Sequence, residues 1–126
     1  MMSDQMTRTR ALQLTLYVIA AYMASFGVLF AFAPDVAGRI TQSTLSDATL
    51  NLLYGQYALT FAVVAFMAAR DSQPAGKLSL VVLLLTAGHV LVFGYVSMTG
   101  MWSCAQAGPP VAVNLVLTIL LLLLRR

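Results

Sequence analysis

Four long apolar runs, at 11–33, 49–69, 78–98 and 109–124, alternate with short polar segments along the chain. An α-helix rises about 1.5 Å per residue, so about 20 apolar residues cross a hydrocarbon core of roughly 30 Å. The first three runs reach that length. The fourth is shorter, and it needs a turn at Gly108, local thinning of the bilayer, or extension of Arg125 and Arg126 to the interface. Its stretch "AVNLVLTILLLLLRR" closes on paired arginines, as a stop signal does. The pattern predicts an all-α fold, a four-transmembrane-helix bundle forming a single domain over 1–126.

The intervening segments carry ordinary boundary chemistry. Pro34-Asp35 suits the first turn of a short interfacial helix, and Ser46 suits the N-cap of span two. "RDSQPAGK" at 70–77 predicts a tight polar turn. "TGMWSCAQAGPP" at 99–110 is uncharged and predicts an outward loop, with Trp102 in the interfacial belt. Arg8, Arg10 and "AFA" at 31–33 give the first run some features of a signal peptide. Its apolar stretch exceeds the typical 7–15 residues, so it is expected to remain as a span.

Composition agrees with the pattern. The 126 residues are 60% hydrophobic, with a mean hydropathy of +0.87. A soluble domain this small could not bury so much apolar surface. The net charge of +3 reflects single or paired bases rather than a basic stripe, which excludes a nucleic-acid partner. Threading four spans alternately puts Arg8, Arg10, Arg70, Lys77, Arg125 and Arg126 on one side and Arg39 on the other. The positive-inside rule then makes both termini cytoplasmic, in what we read as a bacterial plasma (inner) membrane. The lone Cys104 permits no intrachain disulfide.

Within lipid, helices associate through small residues that let backbones approach. Span two offers Gly55, Ala58, Ala62, Ala65 and Ala69 on one stripe, with Asn51 on its extension and Leu59 off it. Ala20, Ala21, Ala24 and Ser25 form a weaker counterpart on span one. The expected use is contact between these two consecutive spans. The other use is an oligomer interface.

The chain contains no glutamate, and Asp4, Asp35, Asp47 and Asp71 all lie outside the apolar runs. That argues against an ion-coupled carrier, which relies on an intramembrane carboxylate, as the small multidrug transporters do. The intramembrane polar residues include Tyr22, Gln56, Thr86, His89, Asn114 and Thr118. Helical rise puts Gln56 and Asn114 roughly 10 Å, and His89 roughly 13 Å, below the outer surface. They are expected to meet in one polar layer, because an unsatisfied polar group in hydrocarbon costs several kcal/mol. His89, the sole histidine, is expected to be a neutral interhelical hydrogen-bonding residue. Its other roles would be ligation of a haem or pigment, contact with a quinone or lipid headgroup, or proton relay. A bis-histidine haem would need a second histidine. Met98, Met101 and Cys104 recur every three residues and are soft enough for Cu(I), although interfacial methionines beside one cysteine account for them too.

The stretches "FGVLFAFAPD" at 26–35, "YGQYALT" at 54–60 and "GHVLVFGY" at 88–95 resemble in order the DoxX-like group of small four-helix bacterial membrane proteins. The resemblance implies a four-helix membrane fold and says little of activity. Where that group carries arginine upstream of the span-two Tyr-Gly, this chain has Asn51. It has His89 in place of an arginine after the span-three glycine, and Asn114 in place of an acidic residue in span four.

The chain shows no paired acid and base, no nucleophile beside a base and no closed metal site, so the reading leans away from an enzyme. The leading expectation is a structural or accessory subunit, self-associating or docked on other membrane subunits. The alternative is a binding module or carrier for an apolar ligand (lipid, quinone or pigment) gripped by the polar layer. Membrane lipids are partners in either case, and no cofactor is specified.

Overall fold

The computed structural model describes residues 1–41 and 48–126. The proposed N-cap Ser46 lies outside them. Five helices follow in order: α1 (Met2–Phe32), α2 (Pro34–Thr41), α3 (Ala48–Arg70), α4 (Lys77–Met98) and α5 (Cys104–Leu124). By length and composition α1, α3, α4 and α5 can each cross a membrane. Their outer faces carry large apolar side chains such as Leu14, Leu52, Leu84, Leu91 and Leu122. Such a surface suits lipid and would be a liability in water.

The long helices alternate in direction. Arg8 donates to the Leu123 carbonyl, and Arg125 Nε donates to Ser79 Oγ at 2.8 Å. These bonds gather the start of α1, the start of α4 and the end of α5 at one basic end. At the opposite end, Phe30 meets Tyr54 at 4.7 Å between ring centroids, and Phe93 meets Trp102 at 5.5 Å. The first ten residues are exposed. At about 1.5 Å per residue, α1 exceeds the thickness of a hydrocarbon core, so its first turns project beyond the basic end. Arg125 does not extend freely to an interface. It closes the α3–α4 turn, its guanidinium also reaching the Ala75 carbonyl at 3.3 Å and the Gly76 carbonyl at 3.4 Å.

Two helix boundaries differ from expectation. The helix of span one begins at Met2 rather than 11, because the polar opening residues continue the helix outside the apolar run. The helix of span four begins at Cys104 rather than 109. Ser103 caps it: Ser103 Oγ accepts from the Gln106 backbone N–H at 3.3 Å, and Gln106 Oε1 accepts from the Ser103 N–H at 2.9 Å. This reciprocal capping box nucleates the helix ahead of the prolines. Gly108 is therefore helical, and the loop expected over 99–110 shrinks to 99–103. Gly100 turns it with φ +74°, a conformation that favours glycine. The fourth helix needs no bilayer thinning, since 21 residues rise about 31 Å. The short helix expected at Pro34-Asp35 is α2, with Asp35 in its first turn and Arg39 in its last.

The closest packing joins α1 to α3, and a second tight pair joins α4 to α5. On α3, Ala58, Ala62, Ala65 and Ala69 are all buried. A Cβ built on Gly55 would lie 2.9 Å from the Ala31 Cβ, the Ala31 N and the Gly27 O. Backbone approach of this kind is what small residues permit. The facing surface of α1 is only partly the one expected: Ala20 is buried and Ala24 packs against the core. Ala21 and Ser25 are exposed, whereas Leu12, Leu16, Ile19, Ala20, Met23 and Gly27 are buried. Leu59, off the stripe, still packs tightly, because a Cβ on Gly27 would come 2.7 Å from its Cγ. The contact with α1 is therefore wider than the small-residue stripe alone.

Candidate functional site

Between the two tight helix pairs, at the Trp102 end, lies a cavity of about 510 Å³. That size falls within the range of small-molecule sites. Helices α1, α4 and α5 each contribute one face to it. From α1 come Tyr22, Met23, Phe26 and Phe30, and from α4 come His89, Val92, Phe93 and Val96. On α5 the lining includes Gln106, Pro109, Pro110, Val113 and Asn114, and Tyr54 of α3, Ile40 of α2 and Trp102 complete the wall. The spacings along α4 and α5 are those of a single helical face.

The prolines shape the α5 wall. Proline has no N–H, so Pro109 and Pro110 cannot donate to the carbonyls of Ala105 and Gln106 one turn earlier. Both of those residues border the cavity. One turn later the Asn114 Nδ2 donates to the Pro110 carbonyl at 2.8 Å, which fixes the amide against its own helix.

His89 is held from several directions. Its ring lies 5.5 Å from Tyr57 and 5.7 Å from Phe61, stacked at 24°. Phe93 lies 5.7 Å from it on the same helix. Nδ1 sits 3.0 Å from the Leu85 carbonyl oxygen. A carbonyl oxygen only accepts, so Nδ1 carries the proton and donates. In the neutral ring, Nε2 is then a lone-pair acceptor. Among the described residues Nε2 has no protein partner, and no inaccessible side-chain nitrogen or oxygen lacks one. His89 is 7% exposed and is one of the residues that line the cavity. The same reasoning applies to Asn114, which is 2% exposed. Among the described residues its one side-chain hydrogen bond is that from Nδ2 to Pro110, and the residue lines the cavity.

The expected polar layer forms only in part. Tyr22, His89 and Asn114 converge on the cavity. Gln56 does not join them. It is exposed on the outside of α3, one residue beyond Gly55, and one residue turns a helix by about 100°. Thr86 is buried and bonds the Leu83 carbonyl of its own helix at 2.9 Å. Thr118 bonds the Asn114 carbonyl at 2.7 Å. These side chains, like His89 and Asn114, make their hydrogen bonds on their own helices rather than across the bundle. That intrahelical pattern replaces the interhelical hydrogen bonding expected of His89.

Met98 and Met101 are 90% and 67% exposed, and Cys104 is also exposed, with Sγ 3.9 Å from Ser97 Oγ. Among the described residues, no group of three His, Cys, Asp or Glu side chains could hold a metal. Sequence reasoning missed Tyr54, Phe93 and the double proline as cavity walls. The i, i+3, i+4, i+7 series from His89 to Val96 was the available signal.

By length and composition, the four long helices define an integral membrane protein of the four-helix class. No family model, curated protein or solved structure matches the chain.

Proposed function

We propose that this protein is an integral membrane binding module for an apolar ligand whose polar end is held by His89 and Asn114. The observation that carries this reading is the 510 Å³ cavity lined by both side chains, each deeply buried with hydrogen-bonding capacity left over. An apolar pocket with a few convergent polar groups is the usual form of a small-molecule site. The accessory-subunit reading drew on the short loops, the lack of a catalytic constellation and the small-residue stripe of α3; α1 of the same chain occupies that stripe, which removes one of these supports. In keeping with the DoxX-like resemblance and the charge bias, we assign the protein to a bacterial inner membrane with both termini cytoplasmic. The cavity then opens in the outer half of the bilayer.

Two measurements test this. Protein purified in mild detergent and extracted into organic solvent is expected to release about one equivalent of an apolar small molecule. Stoichiometric partner chains with no such molecule would favour the accessory-subunit reading. In intact cells, a membrane-impermeant thiol reagent is expected to label Cys104. Labelling only from the cytoplasmic side would reverse the orientation.

A further inference from the structure

We propose that the occupant of this cavity is an uncharged lipid alcohol, whose hydroxyl donates to His89 Nε2 and accepts from the Asn114 amide. This inference rests on the binding reading above and specifies its ligand class.

Charge is the first constraint. Among the described residues, no Asp, Glu, Lys or Arg lines the cavity. Arg8, Arg70, Lys77 and Arg125 belong to the opposite end of the bundle, as the Arg8–Leu123 and Arg125–Ser79 bonds show. Arg39, on α2 at the cavity end, is exposed, and its Nε is directed to the Asp35 carbonyl at 3.4 Å. A phosphate or carboxylate head would therefore enter an apolar chamber without a counter-charge, which is costly in a low-dielectric site.

Hydrogen-bond polarity is the second constraint. The bond from Nδ1 to the Leu85 carbonyl leaves Nε2 as an acceptor. A ketone or ester oxygen also only accepts, so it would set lone pair against lone pair there. A hydroxyl both donates and accepts. Its proton matches Nε2, and its oxygen matches the second hydrogen on Asn114 Nδ2, whose first hydrogen is committed to Pro110. The remaining wall carries the phenols of Tyr22 and Tyr54 and the Gln106 amide, but it is mostly apolar, with Phe26, Phe30, Phe93 and Trp102, and suits a hydrocarbon body.

Trp102 is the only tryptophan in the chain and lines the cavity, so its fluorescence reports occupancy. The test titrates three probes that differ only at the head into the full chain in detergent micelles at pH 8. They are 9,10-dibromostearyl alcohol, the methyl ester of 9,10-dibromostearic acid, and 9,10-dibromostearate. Saturable bromine quenching of Trp102 is read above that of a free tryptophan analogue in the same micelles. The alcohol is expected to half-saturate at a concentration at least about 10-fold lower than the ester or the carboxylate. His89→Leu is expected to erase the difference between alcohol and ester, and His89→Gln, which keeps an acceptor, to preserve part of it. Equal quenching by all three probes, or tightest binding by the carboxylate, would overturn the alcohol assignment and leave the binding site standing. No saturable quenching by any probe would overturn the binding reading itself.

Discussion

Replacing Gly55 by valine is expected to force α1 away from α3 and to cost about 3 kcal/mol or more, the upper end of overpacking penalties. A single Cβ at position 55 would already stand 2.9 Å from the Ala31 N and the Gly27 O. Both are backbone atoms of a helix and cannot rotate aside as a side chain does. Valine adds two methyl groups with little choice of rotamer. In a bilayer no hydrophobic gain offsets the lost contact, because lipid tails are as apolar as the side chains they replace. Leu52→Ala is the comparison: Leu52 is 58% exposed on the same helix, and its truncation is expected to stay within about 0.5 kcal/mol. Thermal unfolding in detergent reads both. Equal midpoints for the two variants would mean that close approach at Gly55 contributes nothing.

The second large effect concerns the ligand rather than the fold. His89→Leu is expected to reduce ligand retention about 10-fold or more, the equivalent of about 1.4 kcal/mol and within the range of one hydrogen bond. Stability should change little by comparison. Among the described residues the imidazole bonds only the Leu85 carbonyl of its own helix, so leucine strands no described partner on another helix. His89→Gln retains donor and acceptor and should keep most of the ligand. A variant that loses stability while retaining ligand would make His89 a packing residue instead. Parallel quantification of ligand and of thermal midpoint in one preparation separates the two.

How far the sequence discloses this protein depends on the kind of feature. Four spans are legible because hydropathy over about 20 residues is a long, redundant signal. The start of the last helix is not, because Pro109 and Pro110 read as a boundary while the shorter Ser103–Gln106 capping signal sets it. The α3 stripe is legible because its residues are uniformly small. Its partner surface on α1 mixes Leu16, Met23 and Gly27, and no size pattern marks it. Depth in the bilayer follows from residue counts, and it puts His89 and Asn114 near one level. Azimuth does not follow from depth, so Gln56 shares that level and still faces outward. The cavity is the least legible feature. It arises from the separation of two helix pairs, a property of their tertiary arrangement that no local segment encodes.

The most direct test is native mass spectrometry of the full chain released from membranes, comparing the natural sequence with Val96→Trp. Val96 lines the cavity, and an indole there would occupy the ligand's space. The natural chain is expected to carry one small-molecule adduct that collisional activation removes, and Val96→Trp to fly without it while still unfolding cooperatively, at a midpoint lowered by no more than the loss of a bound ligand accounts for. Loss of the adduct with a preserved fold would place the ligand in this cavity. An adduct of the same mass and occupancy on both chains, or none on either, would contradict the assignment of this protein as a ligand-binding module.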